Sequence, residues 1–472
     1  MSIATTNPAT GEVLKTFDAA TPAEIDAAIG RAESAFHTLR GTTLEQRAGW
    51  LNAAADLLDA ERDEVARTMT TEMGKTYASA RAEVGKCAAG ARYYAANAAG
   101  FLADEPADAP AVGARRAFVR YSPIGPVLAV MPWNFPLWQV MRFAAPALMA
   151  GNTGLLKHAS NVPQTALYLG DLFTRAGFPA GAFATLLIGS AAVEQVLTDP
   201  RVRAATLTGS EGAGRSVAQI AGRELKKTVL ELGGSDPFVV MPSADLDAAA
   251  EVATTARCQN NGQSCIAAKR FIVHTDVYDD FAERFTRRMA ALRVGDPMAD
   301  TTDVGPLATE QGRDDVAAQV RDAVEAGATV LTGGVAPERP GWWYPPTVVA
   351  DLTPRMRMWQ EEVFGPVAGL YRAADYDEAI ALANGTGFGL GANAWTRDEQ
   401  EQQRFIADLD AGNVFINGMT TSYPQLPFGG VKNSGYGREL SALGMREFCN
   451  VKTVWVGGEQ ATPGPGAGHA NE

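Results

Sequence analysis

Residues that bind metals or form disulfides are scarce in this sequence. Its 472 residues include four cysteines and four histidines. The cysteines have no Cys-x-x-Cys spacing and no paired histidine ligands, which argues against structural zinc and against a disulfide framework. We therefore expect no metal site and a reducing compartment. The four cysteines are Cys87, Cys258, Cys265 and Cys449.

Positive charge and long apolar runs are scarce as well. The net charge is -13, and no cluster of lysine and arginine offsets it locally, so we expect no nucleic-acid partner. No segment approaches the roughly 18 uninterrupted apolar residues that a membrane span requires. Residues 1–8 also lack a basic stretch followed by an apolar core. We therefore expect a cytoplasmic protein with no membrane partner.

The composition is that of an ordinary globular protein, with 46% hydrophobic and 20% charged residues. A chain of this length exceeds one ordinary core, which indicates two or three subdomains. From Thr21 to about Gly100, apolar residues recur at helical spacings after a capping sequence, residues 21–24. Residues 103–113 break this helical run, and residues 115–122 then alternate as a strand does.

Short apolar runs alternate with helical segments in two further regions, residues 127–240 and 245–433. This alternation predicts an α/β fold with two doubly wound parallel sheets. The predicted strands are 127–131, 154–157, 204–208, 228–230, 238–241, 270–274, 367–371, 389–395 and 413–417. Two helices are predicted at 162–176 and 214–223.

A polar turn, residues 259–265, ends at Cys265. A lone free cysteine is more often a small buried hydrophobe than a nucleophile, so both interpretations are open on this residue alone. Asn134 lies in a Pro-Trp-Asn-Phe-Pro segment, where its amide could donate to an oxyanion or the segment could be a rigid aromatic turn. Glu231 ends an apolar strand before two glycines, as a desolvated general base would, or as a capping carboxylate would.

No Gly-x-Gly-x-x-Gly element follows a predicted strand. Residues 209–214 have the spacing Gly-x-x-Gly-x-Gly and lie between a predicted strand and a predicted helix. Backbone N–H groups at such a helix start can hold a pyrophosphate, although the spacing alone is a weak signal.

Taken in order, five segments resemble the NAD(P)-dependent aldehyde dehydrogenase superfamily: residues 132–136, 207–210, 231–234, 259–265 and 361–366. The resemblance runs from about Asn7 to Val456. It implies that Cys265 is the nucleophile, that it passes through a thiohemiacetal and a thioester, and that Asn134 donates to the oxyanion. It also implies that Glu231 activates the water that releases the acid.

The resemblance further implies where a dinucleotide binds. The implied cofactor residues are Trp133, Lys157, Ser160, Gly209, Ser210, Glu362 and Phe364. Many members that prefer NAD carry a glutamate three residues after the lysine, but this chain has Ser160. Because Ser160 does not repel a 2'-phosphate, we expect NADP to be preferred, with NAD possible.

Trp138 and Arg142 are one helical turn apart and could share a face of a substrate tunnel. Arg142 could pair with a substrate carboxylate or with a structural one. Residues 155–161 and 447–450 are similar to bacterial succinate-semialdehyde dehydrogenases, which implies that Arg142 and Ser422 bind the carboxylate of succinic semialdehyde. Glutaric semialdehyde and uncharged aldehydes are alternative substrates, and CoA-dependent acylation is an alternative outcome. A cysteine hydrolase, with His274 as its base, is the alternative of another class.

The resemblance also suggests the domain organisation. We expect a dinucleotide-binding domain at 1–102 and 123–233 and a catalytic domain at 234–440. An oligomerisation arm with a terminal strand is expected at 103–122 and 441–460. Residues 461–472 are expected to be a disordered tail. Family members form homodimers or homotetramers, and the sequence does not choose between them.

Overall fold

The computed structural model describes residues 3–458, so the tail predicted at 461–472 lies outside the described residues. The first ten strands are β1 (Ile3–Thr6), β2 (Val13–Phe17), β3 (Glu105–Pro106), β4 (Arg116–Pro123), β5 (Pro126–Met131), β6 (Thr153–His158), β7 (Phe183–Thr185), β8 (Ala204–Thr208), β9 (Lys227–Glu231) and β10 (Asp236–Val240). They are followed by β11 (Ala268–His274), β12 (Thr329–Thr332), β13 (Thr347–Ala350), β14 (Val367–Ala373), β15 (Gly391–Trp395), β16 (Asn413–Ile416), β17 (Gly435–Tyr436) and β18 (Cys449–Val456).

The α-helices begin with the predicted N-terminal group: α1 (Pro22–Leu39), α2 (Leu44–Ala60), α3 (Arg62–Met73) and α4 (Tyr77–Phe101). The others are α5 (Trp138–Ala150), α6 (Pro163–Arg175), α7 (Val193–Thr198), α8 (Glu211–Arg223), α9 (Leu246–Cys258), α10 (Tyr278–Ala290), α11 (Glu310–Glu325), α12 (Arg357–Gln360), α13 (Tyr376–Asn384), α14 (Glu399–Asp408) and α15 (Ser441–Glu447). The cap of α1 is present as predicted, because Thr21 and Glu24 exchange side-chain and backbone hydrogen bonds. No helix within residues 3–458 has the length and apolarity to cross a membrane.

The first large sheet has six strands in the order β17-β9-β8-β5-β6-β7. Its pairs are parallel except for β17 with β9. The chain continues from β5 to β6 and β7 on one side, and β8 and β9 lie on the other side. The adjacent strands β5 and β8 therefore form a topological switch point. In open α/β sheets, ligands bind outside the carboxyl ends of the strands at this point.

The second large sheet has seven strands in the order β12-β13-β14-β11-β10-β15-β16, with only β12 and β13 antiparallel. Alternate residues of β10 face opposite layers of helices. Phe238 and Val240 lie in the core with α9 and α10, and Val239 lies in the core with α11. Helices therefore cover both faces, and both predicted sheets are confirmed.

A third, antiparallel sheet joins β18, β4 and β3. It contains the strand predicted at 115–122 and the terminal strand. Val451 and Trp455 of β18 are 61% and 50% exposed, so this sheet presents apolar side chains to solvent.

One helix start differs from the sequence-based expectation. Helix α8 begins at Glu211, before the predicted start at Gly214, because the Ser210 side chain accepts a hydrogen bond from the Ala213 N–H. Lys157 lies inside β6, within the predicted strand 154–157. Helix α5, which contains Trp138 and Arg142, continues through Pro146 to Ala150.

Candidate active site

The loop before β11 presents Cys265. Asn260 and Asn261 take left-handed backbone conformations, with φ of 54° and 57°, which asparagine tolerates better than most residues. Gly262 also has positive φ, and a Cβ there would lie 2.4 Å from the backbone of Gly365. This close packing explains the polar, glycine-containing turn, since a bulkier sequence could not take this path.

Lys269 anchors the same loop from β11. Its buried ammonium donates to the carbonyl oxygens of Ser264 and Cys265 at 2.8 and 2.6 Å. It also pairs with Glu362 at 3.0 Å, and Glu362 accepts from the Gly234 N–H at 3.2 Å. Lys269 thus joins the Cys265 loop to the segment after β9. No sequence motif marks this lysine, so its role follows only from its contacts in the structure.

Asn134 follows β5 and lies beside Cys265 in one cavity. Its amide nitrogen donates to the Gln263 carbonyl at 3.1 Å, and the Asn260 side chain donates to the Asn134 carbonyl at 2.7 Å. An amide nitrogen carries two hydrogens, so one remains for an oxyanion while the other fixes the side chain.

Two cavities meet at Cys265. The larger one, of about 220 Å³, is lined by Pro132, Trp133, Asn134, Gln139, Thr208, Gly209, Ser210, Leu232, Gly233, Cys265, Glu362 and Phe364. The smaller one, of about 70 Å³, is lined by Lys86, Phe135, Trp138, Gln139, Arg142, Gln259, Ser264, Cys265, Ile266, Thr420, Thr421, Ser422 and Phe428. Cys265 therefore lies at the boundary of both cavities, and only the smaller one is lined by the cationic residues Lys86 and Arg142.

The larger cavity has the position and lining expected for the reactive end of a dinucleotide. It contains five of the seven expected cofactor residues and lies at the switch point of the six-stranded sheet. The first turn of α8 borders it, and the positive end of a helix dipole favours phosphate. Gly214 lets this helix lie against the strand end, because a Cβ there would meet Leu232 at 2.6 Å. The rings of Trp133 and Phe364 meet edge to face with centroids 5.7 Å apart.

Lys157 and Ser160, the other two expected cofactor residues, do not line this cavity. They lie at the end of β6, the neighbour of β5 in the sheet. Burial lowers the pKa of the Lys157 ammonium. Among residues 3–458, no carboxylate contributes to the pKa of Lys157, and a partly buried cation of this kind suits an anionic group such as a phosphate.

Glu231 is the last residue of β9 and is only 2% exposed. Neither carboxylate oxygen has a hydrogen-bond partner among residues 3–458. Burial and the nearby Glu439 raise its pKa, and Arg142 opposes this change. Glu231 lines neither cavity, and its charge contributes to the raised pKa of Cys265.

Burial and nearby charges change the pKa of the Cys265 thiol in opposite directions. Burial raises its pKa, Arg142 and Lys269 lower it, and Glu362 and Glu231 raise it further. The net result is a pKa raised to about 12, so the two cations only partly offset the burial and the carboxylates that disfavour the reactive thiolate.

Trp138, Arg142 and Ser422, expected to bind substrate, all line the smaller cavity. Arg142 also pairs with buried Glu439 at 2.8 Å, and its guanidinium lies 4.7 Å from the Phe428 ring centroid. Its Nη2 has no hydrogen-bond partner among the described residues. Arg142 therefore does pair with a carboxylate of the protein, Glu439, which was one of the two kinds of partner expected from sequence. Its Nη2 is still available to a ligand.

The described residues place no histidine where it could act as a general base toward Cys265. Within residues 3–458, no histidine lines either cavity. His274 lies at the far end of β11 from Cys265, near Asp276. His158 is enclosed by backbone carbonyls of Met131 and Pro136, and burial lowers its pKa to about 4. A Cys-His hydrolase is therefore inconsistent with the geometry.

Residues 1–454 match the aldehyde dehydrogenase family. The chain belongs to this family. It is 69% identical over 456 residues to an NADP(+)-type succinate-semialdehyde dehydrogenase of Mycobacterium tuberculosis, with 97% of this chain and 100% of that protein covered. A second NADP(+)-type succinate-semialdehyde dehydrogenase, from Mycobacterium avium, is 69% identical over 462 residues, with 98% of each chain covered.

A known crystal structure has a similar fold. That structure is of succinic semialdehyde dehydrogenase from Streptococcus pyogenes in complex with NADP+ as the cofactor. The two chains are 40% identical, with a TM-score of 0.94 and coverage of 97% of this chain and 100% of that chain. The aldehyde dehydrogenase fold expected from the motifs is therefore confirmed.

Proposed function

We propose that this enzyme oxidises succinic semialdehyde to succinate with NADP, and uses NAD less well. The observation that carries the proposal is the cationic cavity that opens onto Cys265, where Lys86 and Arg142 both line the wall. An aldehyde with a carboxylate at its other end suits this cavity better than an uncharged aldehyde does. The names and the high identity of the mycobacterial relatives support the same substrate and cofactor.

The larger cavity would hold the reactive end of the cofactor. Gly209, Ser210 and the start of α8 would bind its phosphates, Glu362 would bind its ribose, and Trp133 and Phe364 would lie beside its ring. Lys157 and Ser160 would bind the adenine ribose and its 2'-phosphate. When bound, NADP supplies the hydride acceptor for the oxidation.

Cys265 attacks the aldehyde carbon as a thiolate. The free N–H of Asn134 and the backbone N–H of Cys265 hold the oxygen as it gains negative charge. Asn134 is ready for this role because its other N–H is held by Gln263. Once the hydride has left the thiohemiacetal, the acid remains attached to Cys265 as a thioester.

Glu231 removes a proton from the water that cleaves this thioester. Its raised pKa makes its carboxylate a stronger base than an exposed glutamate. Arg142 and Ser422 hold the far carboxylate of the substrate, and Trp138 forms the adjoining wall. Succinate then leaves and the thiol is restored.

We further propose that the enzyme acts in the cytoplasm as a homodimer or homotetramer. Support for assembly comes from the exposed apolar side chains of Val451 and Trp455 on β18. The domain boundaries at 102, 122, 233 and 440 also remain our proposal.

Absorbance at 340 nm tests the function in a grid of NADP and NAD against succinic semialdehyde, glutaric semialdehyde and butanal. We expect the highest kcat/KM for succinic semialdehyde with NADP. Equal or better turnover of butanal would refute the carboxylate site, and a strong preference for NAD would refute the assignment of Lys157 and Ser160.

A further inference from the structure

Lys86 enters the smaller cavity from α4, far in sequence from every motif. Its ammonium donates to the Ser422 hydroxyl oxygen at 3.0 Å and lies 4.4 Å from the Trp138 ring centroid. The indole N–H of Trp138 donates to the same hydroxyl oxygen at 2.9 Å. Ser422 therefore accepts two hydrogen bonds, and its own O–H is free to donate to a ligand in the cavity.

The carboxylates near Lys86 are already engaged. Glu83, one turn earlier on α4, forms an ion pair with buried Lys75. It also accepts hydrogen bonds from the backbone N–H groups of Leu137 and Trp138 at 2.9 and 2.8 Å. Glu439 pairs with Arg142. Lys86 forms no ion pair with a carboxylate in the described part of the chain, and its side-chain partner there is the neutral Ser422 hydroxyl.

An ammonium in this position is costly without an anion. Burial and the positive charge of Arg142 lower the pKa of Lys86 to about 8, which leaves it mostly protonated at neutral pH. A buried charge normally has an ionic partner, since desolvation without one is unfavourable. The missing partner would lie in the cavity that Lys86 shares with Cys265, Arg142 and Ser422.

We propose that Lys86 binds the substrate carboxylate and is a specificity-determining residue for semialdehydes over uncharged aldehydes. This inference rests on the proposed function and adds a residue to it. Arg142 already has its charge compensated by Glu439, so Lys86 supplies the uncompensated positive charge. Ser422 then contacts both Lys86 and the substrate, because Lys86 positions its hydroxyl and the O–H can donate to the same substrate carboxylate.

The test compares Lys86→Met and Lys86→Gln with the wild-type enzyme, using NADP with succinic semialdehyde or butanal. The control is Lys15→Met, which removes an exposed lysine of β2. We expect KM for succinic semialdehyde to rise about 10- to 100-fold, the usual range for a lost charged hydrogen bond. We expect kcat to change less than about threefold, and kcat/KM for butanal to be unchanged or higher.

Two further measurements separate binding from folding. The inhibition constant of succinate should rise by the same factor as KM, which is a readout of carboxylate binding alone. Lys86→Arg should restore most of the preference for succinic semialdehyde. Because glutamine can still hydrogen-bond to Ser422, Lys86→Gln decides the question if Lys86→Met does not fold.

The outcomes distinguish this inference from the proposed function. If the wild-type enzyme prefers succinic semialdehyde and the Lys86 variants keep that preference, the inference is wrong and the function stands. An equal loss for both aldehydes would show that Lys86 only supports the structure, and would also overturn it. If the wild-type enzyme shows no preference, both the function and the inference fail.

Discussion

Arg142 pairs with Glu439 and, in the proposed function, with the substrate carboxylate, and a comparison of a single with a double variant separates these two roles. In Arg142→Met, Glu439 loses its cation while only 5% exposed. Breaking a buried pair in this way typically costs about 3–5 kcal/mol of unfolding free energy. The same change removes a charged hydrogen bond to the substrate, worth about 1.5–3 kcal/mol, which corresponds to a KM about 10- to 100-fold higher.

The double variant Arg142→Met with Glu439→Leu resolves the two effects. It removes both buried charges, so we expect the unfolding free energy to recover to within about 1 kcal/mol of the wild-type value, since apolar replacement of a whole pair is often neutral. The KM for succinic semialdehyde should stay high because the substrate contact is still missing. Urea unfolding and steady-state kinetics with succinic semialdehyde and butanal measure both quantities. If KM recovers together with stability, Arg142 acts only through Glu439 and our reasoning is wrong.

Three further predictions concern the catalytic and cofactor residues. Cys265→Ala should abolish turnover but keep NADP binding, measured by fluorescence titration; residual turnover at wild-type rate would exclude Cys265 as the nucleophile. In wild-type enzyme, kcat should fall as pH drops through the raised pKa of Glu231, because only the deprotonated carboxylate is a base. Glu231→Gln should give a burst of reduced cofactor followed by slow turnover, and this pH dependence should disappear; an unchanged profile would assign the base elsewhere. Ser160→Glu should raise KM for NADP at least about 100-fold by charge repulsion and change KM for NAD much less, whereas equal effects on both cofactors would contradict the 2'-phosphate site.

Local features were predictable from sequence because they depend on neighbours in the chain. The alternation of apolar strands and helices gave both large sheets, and the capping sequence gave the start of α1. Glu231 lies at a strand end as expected. These features follow from periodicity and turn chemistry, which a single segment contains.

Pairings across the fold were not predictable in this way. Lys86 and Ser422 are separated by 336 positions, and no local pattern on α4 distinguishes Lys86 from an exposed helical lysine. The partner of Arg142 was left open between substrate and protein, and only the three-dimensional contact revealed Glu439. Lys269 and Glu362 likewise meet because Lys269 lies in β11 and Glu362 precedes β14, the neighbour of β11 in the second large sheet. Tertiary packing determines which of several possible partners each charged side chain contacts.

In the proposed mechanism, Cys265 carries the oxidised substrate as a succinyl thioester, and Glu231 activates the water that releases it. The most direct measurement is mass spectrometry of Glu231→Gln, quenched with acid after mixing with NADP and succinic semialdehyde and then digested. We predict that the peptide containing Cys265 gains the mass of one succinyl group, and that wild-type enzyme shows little of this adduct because it releases the acid. An adduct on another cysteine, or burst formation of reduced cofactor with no adduct on Cys265, would contradict the account.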